Sequence, residues 1–157
     1  MASSISSRSA GSSASALAVG DETEILSVLL ELQQANDLYA ELSRANLQLL
    51  SRMASIIQFE ANEQIVRRGE RATFLGIVVS GSVQCKPPNG QSSVELPTGS
   101  LVGEMAYFER NGLRNADVFA ASSGDTILAV LRYTDLTALS AGSLELAYKF
   151  LRIMTLS

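Results

Sequence analysis

Two spacings of apolar residues divide the chain. From Asp21 onward Ile25, Leu26, Val28, Leu29 and Leu32 recur at helical intervals, and Asp21 with Glu24 fits a capping box, so a helix is expected over about 21–36. Leu38, Leu42, Leu49, Leu50 and Met53 carry a second helical pattern to about Ala54, with Asn36-Asp37 or Ser43 as breaks. From Ser55 the pattern shortens, and residues 55–59, 64–67, 75–80, 82–86, 92–96, 117–121 and 126–132 read as strands. Gly69, Gly81, Gly90, Gly99 and Gly124 lie near their junctions, and Pro87-Pro88-Asn89-Gly90 is a turn signal. After the last strand, Thr134 or Asp135 can cap a short helix ending at Gly142. Ser143 can cap another with Leu144, Ala147, Phe150, Leu151 and Met154 on one face. The class implied is mainly β with flanking α-helices, an antiparallel roll or barrel. Val66, Ile77, Val79, Val83, Val118 and Val130 are its expected core residues.

Ahead of these elements, residues 1–20 are rich in Ser, Ala and Gly, carry Arg8 as their one charge and show no period, so a disordered tail is expected. The same composition is weakly like an organelle transit peptide, with too little positive charge to make that signal strong. Residues 21–36 then form an N-terminal helix, and 37–157 the roll with its C-terminal helices. The apolar run from Ile25 to Leu32 needs covering, either by its own domain or by a protein partner docking through the N-terminal helices.

Composition narrows the chemistry. At 157 residues and 46% hydrophobic content the chain suffices for one compact domain plus an extension. A net charge of -4 disfavours a nucleic-acid partner. With no histidine and Cys85 as the only thiol, zinc, haem, iron–sulfur and histidine acid–base chemistry lack their usual side chains, so no enzyme and no cofactor are expected. Cys85 reads as a small strand residue and fits a reducing, intracellular and cytoplasmic setting. No apolar stretch approaches the ~20 residues of a membrane span.

The chemically informative segment is the long connection from Gly99 to Val118. A short helix after Gly103 would present free backbone N–H groups to an anion, glycine permits close approach, and an arginine brought to the same place completes a phosphate cradle. Glu104 would then suit a sugar hydroxyl. Gly103-Glu104-Met105-Ala106 and Leu113-Arg114-Asn115-Ala116-Asp117-Val118, with the strand order, resemble the phosphate-binding cassette of the cyclic-nucleotide-binding domain family. That family includes kinase regulatory modules, gated channels and bacterial catabolite activators. Gly69-Glu70 and Val79-Ser80-Gly81-Ser82-Val83 echo its roll glycines, and the likeness extends over 37–157.

The resemblance implies a β-roll of the cyclic-nucleotide-binding type with a cyclic nucleotide, cAMP or cGMP, as ligand. By position, Gly103 would give backbone room, Glu104 would bind the ribose 2′-hydroxyl, Met105 and Ala106 would supply helix-start amides, and Arg114 would pair with the cyclic phosphate. Asn115, followed by Ala116, falls beside phosphate and purine. Tyr148 and Phe150 are candidates, by residue type, for the family's base-capping lid. Against the family pattern stand Val102 for an aromatic, Leu113 for a proline, one extra residue between Glu104 and Arg114, and Asp117 for a Thr or Ser. Strand alternation would place Asp117 on the face of Asn115. A carboxylate at ~5 Å from a phosphate at an effective dielectric of ~20 costs about 3 kcal/mol, or ~100-fold in affinity.

The expected function is therefore a regulatory module that binds a cyclic purine nucleotide and transmits the event through its helices. The alternative is a roll that binds no ligand and docks a larger assembly, in which Glu104 and Arg114 merely pair with each other. A bacterial-activator role would require a helix-turn-helix, for which the sequence leaves no room after the C-terminal helix. Arg67, Arg68, Arg71 and Arg110 read as solvated surface.

Overall fold

The computed structural model describes residues 17–18, 20–108 and 111–156. The expected tail and Arg110 thus lie outside the described residues, apart from Leu17, Ala18 and Gly20. Leu17–Ala18 form a short strand, β1, although no side-chain period announces it; its backbone pairs with the edge of the next strand. Helix α1 spans Glu22–Ala35, capped by the Asp21 carboxylate, which accepts from the Glu24 amide at 3.0 Å. It ends where Asn36 turns extended, and the Asn36 side chain caps a 3-10 turn over Asp37–Tyr39. Helix α2, Arg44–Met53, opens with a reciprocal capping box between Ser43 and Asn46.

The strands are β2 (Ser55–Phe59), β3 (Gln64–Val66), β4 (Phe74–Ser80), β5 (Val83–Lys86), β6 (Val94–Leu96), β7 (Leu101–Val102), β8 (Asp117–Ala120) and β9 (Thr126–Arg132). Between β7 and β8 lies the four-residue helix α3, Met105–Phe108; α4 (Tyr133–Gly142) and α5 (Leu144–Leu156) follow β9. Two antiparallel sheets result, β1-β2-β9-β4-β7 and β3-β8-β5-β6. Strand β7 is missing from the sequence expectation because two residues are too few to show a period. Helix α4 begins at Tyr133 with no side-chain cap, rather than at Thr134 or Asp135, since β9 runs straight into it.

The first sheet is covered on both faces. Ile57, Phe59, Phe74, Val78, Leu128 and Val130 fill the roll interior, while Ile56, Leu75, Ile77, Ala129 and Leu131 point the other way into the helical layer. That is why β4 and β9 read as nearly continuous apolar runs. The second sheet buries one face only: Val118 and Ala120 point inward, Asp117 and Phe119 outward. Of the expected core, Val66, Ile77, Val83, Val118 and Val130 are buried, and Val79 is half-buried against the helical layer.

Of the two ways to cover the apolar run of α1, the fold supplies the first. Ile25, Leu29 and Leu32 are buried in one cluster with Leu42, Leu47 and Leu50 and with residues of the first sheet, so the chain covers this face itself. Helix α1 thus contributes Ile25, Leu29 and Leu32 to a cluster shared with the first sheet. At the other end, Lys149 binds Asn46 and Glu145, and Arg152 pairs with Glu41, tying α5 to the N-terminal layer. No helix of the described residues is long and apolar enough to cross a membrane.

Candidate functional site

The site is assembled from the β7–β8 connection and the β3–β4 loop. The two are laced by backbone bonds: the Arg114 amide donates to Glu70 O at 2.8 Å, the Gly69 amide to Arg114 O at 2.9 Å and the Ala72 amide to Gly112 O at 2.8 Å. This lacing fixes where Arg114 enters the roll. All seven residues singled out by resemblance, Gly103, Glu104, Met105, Ala106, Arg114, Asn115 and Ala116, line one cavity of about 90 Å³. Its other walls are apolar strand residues, Val66, Cys85, Leu96, Leu101, Val102 and Val118, which motif reasoning did not select. Only their inward strand parity could have pointed to them: Val118 pairs across the sheet with Cys85, two residues from buried Val83.

Arg114 is 4% exposed. Its Nη2 donates to Phe74 O at 2.7 Å and its Nη1 to Gly103 O at 3.2 Å, while the guanidinium lies 4.7 Å over the Phe74 ring. Nε is buried without a partner. Burial pushes the guanidinium pKa below its ordinary value, an effect opposed by the neighbouring Tyr133 hydroxyl and, more weakly, by Glu70. Arg114 turns its Nη1 and Nη2 to the two carbonyls and not to Glu104. Gly103 holds φ at +84°, and a Cβ there would collide with Arg114 Nη1. Glycine is required twice over, by backbone conformation and by the arginine's approach.

Glu104 sits half-buried between this cavity and a neighbouring one of about 330 Å³ lined by Asn36, Leu38 and the 96–101 segment. Burial, and after it the negative charge of Glu104, raises the pKa of the Cys85 thiol and of the Tyr39 hydroxyl. Tyr39 donates to Gly99 O at 2.6 Å and so braces the loop before β7.

Asp117 departs from its expected place. It starts β8 on the outward side, is not a lining residue, and accepts from the Arg68 amide at 2.8 Å and Gln64 Nε2 at 3.2 Å. Strand alternation failed as a guide because β8 begins only at Asp117, so Asn115 lies outside the strand. Tyr148 and Phe150 do not line the cavity either: Phe150 is buried in the helical cluster and Tyr148 is exposed on α5.

The family model of the cyclic nucleotide-binding domain matches residues 56–143, more than half of the chain. The chain belongs to the cyclic nucleotide-binding domain family. A candidate potassium channel protein of Rhodopseudomonas palustris is 32% identical over 119 residues, which are 74% of this chain and 28% of that protein. The chain thus spans less than a third of that relative's length. Among solved structures, a cyclic nucleotide-binding domain from Methylobacillus flagellatus KT aligns with a TM-score of 0.75 at 21% identity, over 90% of this chain and 80% of that one. The catabolite activator protein of Thermus thermophilus aligns at 0.64 and 23% identity, over 76% of this chain and 57% of that one. A protein from a cyclic-GMP-dependent signalling pathway that regulates bacterial phytopathogenesis aligns at 0.60 and 23%, over 70% and 88%. At these identities the solved structures speak for the fold. This cyclic nucleotide-binding domain therefore has the two-sheet roll and flanking helices of its family.

Proposed function

We propose that this domain is a regulatory module that binds a cyclic purine nucleotide, cAMP or cGMP, and passes the event to its flanking helices. The observation that carries the reading is Arg114: a cation 4% exposed, hydrogen-bonded to the carbonyls of Phe74 and Gly103, beside the Tyr133 hydroxyl and with Nε unpartnered, at the polar end of an apolar-walled cavity. A buried charge without an opposite charge is costly, and an anionic ligand would relieve that cost. In this reading Arg114 takes the cyclic phosphate, Glu104 the ribose 2′-hydroxyl, Met105 and Ala106 offer amides, and the apolar walls face the base. The module itself performs no catalytic step.

Small-molecule sites commonly enclose roughly 300–1,000 Å³. The cavity at Arg114 is about 90 Å³, so entry of a nucleotide requires the cassette to widen and Arg114 to turn from its carbonyls. Differential affinity for the two arrangements is the energy source for signalling. The position of Asp117, held by the Arg68 amide and Gln64 away from the cavity, favours the binding reading over the docking scaffold, because its carboxylate does not face a phosphate beside Arg114.

Calorimetric titration with cAMP and cGMP tests the proposal. Wild type should bind at least one, and Arg114→Ala should weaken it by tenfold or more, matching a charge-assisted bond of roughly 1.5–3 kcal/mol. Absence of binding by wild type to both nucleotides would overturn it.

A further inference from the structure

The carbonyl oxygen of Gly103 accepts two hydrogen bonds, from Arg114 Nη1 at 3.2 Å and from the Tyr133 hydroxyl at 2.7 Å. Both acceptor positions of that oxygen are thereby filled. The donors come from two different elements. Arg114 lies in the cassette, whereas Tyr133 is the first residue of α4, anchored by its own amide to Thr73 O at 2.9 Å. The Tyr133 ring also meets the Tyr107 ring of α3 edge-on, with centroids 5.0 Å apart at 70°. Tyr107 in turn borders the groove between α4 and α5 beside Leu136 and Leu139.

We propose that Tyr133 is a positioning residue that couples Arg114 to α4 through this shared carbonyl, an inference about signalling that rests on the nucleotide-binding reading for its ligand. An oxygen shared by two donors binds each less strongly than it binds one alone. When an anion draws Arg114 away, the Tyr133 bond strengthens and the first turn of α4 is held harder against the cassette. The same hydroxyl lowers the cost of Arg114's departure, because Gly103 O, half-buried under the arginine, is never left without a donor. Without the hydroxyl, every ligand that recruits Arg114 must leave that carbonyl bare.

Two measurements on the full chain decide this. The first needs no ligand: the unfolding equilibria of wild type, Tyr133→Phe, Arg114→Met and the double variant form a cycle, with Arg114→Leu standing in should Arg114→Met not fold. Because either donor alone satisfies the carbonyl, the double variant should lose at least fivefold more in folding equilibrium constant than the product of the single effects. A hydroxyl with an independent structural role gives additivity, and additivity within twofold overturns the coupling. The second is nucleotide affinity by calorimetry, where Tyr133→Phe should weaken binding about tenfold while Tyr148→Phe, which alters an exposed ring on α5, should not. Binding to Tyr133→Phe as tight as to wild type also overturns the proposal. If wild type binds neither nucleotide but the cycle shows the excess, the nucleotide reading fails and the shared-carbonyl coupling stands.

Discussion

Replacing Gly103 by alanine separates the two reasons for glycine at this position. An alanine held at φ +84° costs about 1–2 kcal/mol from backbone sterics. Its Cβ would also displace Arg114 Nη1, breaking the bond to Gly103 O and disturbing that to Phe74 O, a charge-assisted interaction worth about 1.5–3 kcal/mol. The total is about 2.5–5 kcal/mol, or a fall in Tm of about 5–20 °C for a domain of this size. Gly69→Ala is the control: φ there is +90°, but a Cβ would meet nothing within 4 Å, so only the backbone cost of about 1–2 kcal/mol applies. Urea denaturation of Gly103→Ala should show the full loss in wild-type background and only the backbone part in an Arg114→Ala background, where nothing remains to collide with. If Gly103→Ala proves no more costly than Gly69→Ala, the guanidinium does not sit where the hydrogen bonds place it.

Three other outcomes follow from the same geometry. Asp117→Ala should lower stability by about 1 kcal/mol in urea denaturation, through loss of its bonds to the Arg68 amide and Gln64, while changing nucleotide affinity less than threefold in calorimetry. Leu29→Ala, which removes a side chain only 3% exposed from the helix–sheet cluster, should cost about 2–5 kcal/mol on thermal or chemical unfolding. The Tyr39 hydroxyl has its pKa raised from 10.0 by burial and then by Glu104, so below pH 10 both folded and unfolded states keep the proton, and above it the unfolded state ionises first. Stability should therefore fall as pH rises past 10, and Tyr39→Phe should make the loss between pH 9 and 11 shallower by about 1.4 kcal/mol in pH-dependent unfolding.

Much of the roll was legible because its signals are local. Ser55–Phe59 and Thr126–Arg132 stand at their expected bounds, since β-branched and apolar runs between turn residues need no distant information. Asp21 marks the start of its helix because a cap is satisfied within three residues, and Ser43, legible as a candidate break, is the cap of α2. The gathering of Gly103 to Ala106 with Arg114 to Ala116 was legible for another reason: a glycine, an acid and an arginine at this spacing resemble one cassette.

Local pattern and motif spacing thus sufficed for the alternation of secondary structure, the family and the polar half of the cavity. Packing settled three further points. Whether the apolar stripe of α1 meets a partner or its own sheet depends on residues as distant as Leu131, and no local pattern contains that choice. Asp117 turns outward because Arg68 and Gln64, some fifty positions earlier, offer it donors there. Arg114 lies without a carboxylate partner because the β3–β4 loop threads it beneath Phe74 and Gly103. The physical reason is common to all three: burial and hydrogen-bond partnership are properties of neighbours in space, and packing assigns those neighbours only when the two sheets close.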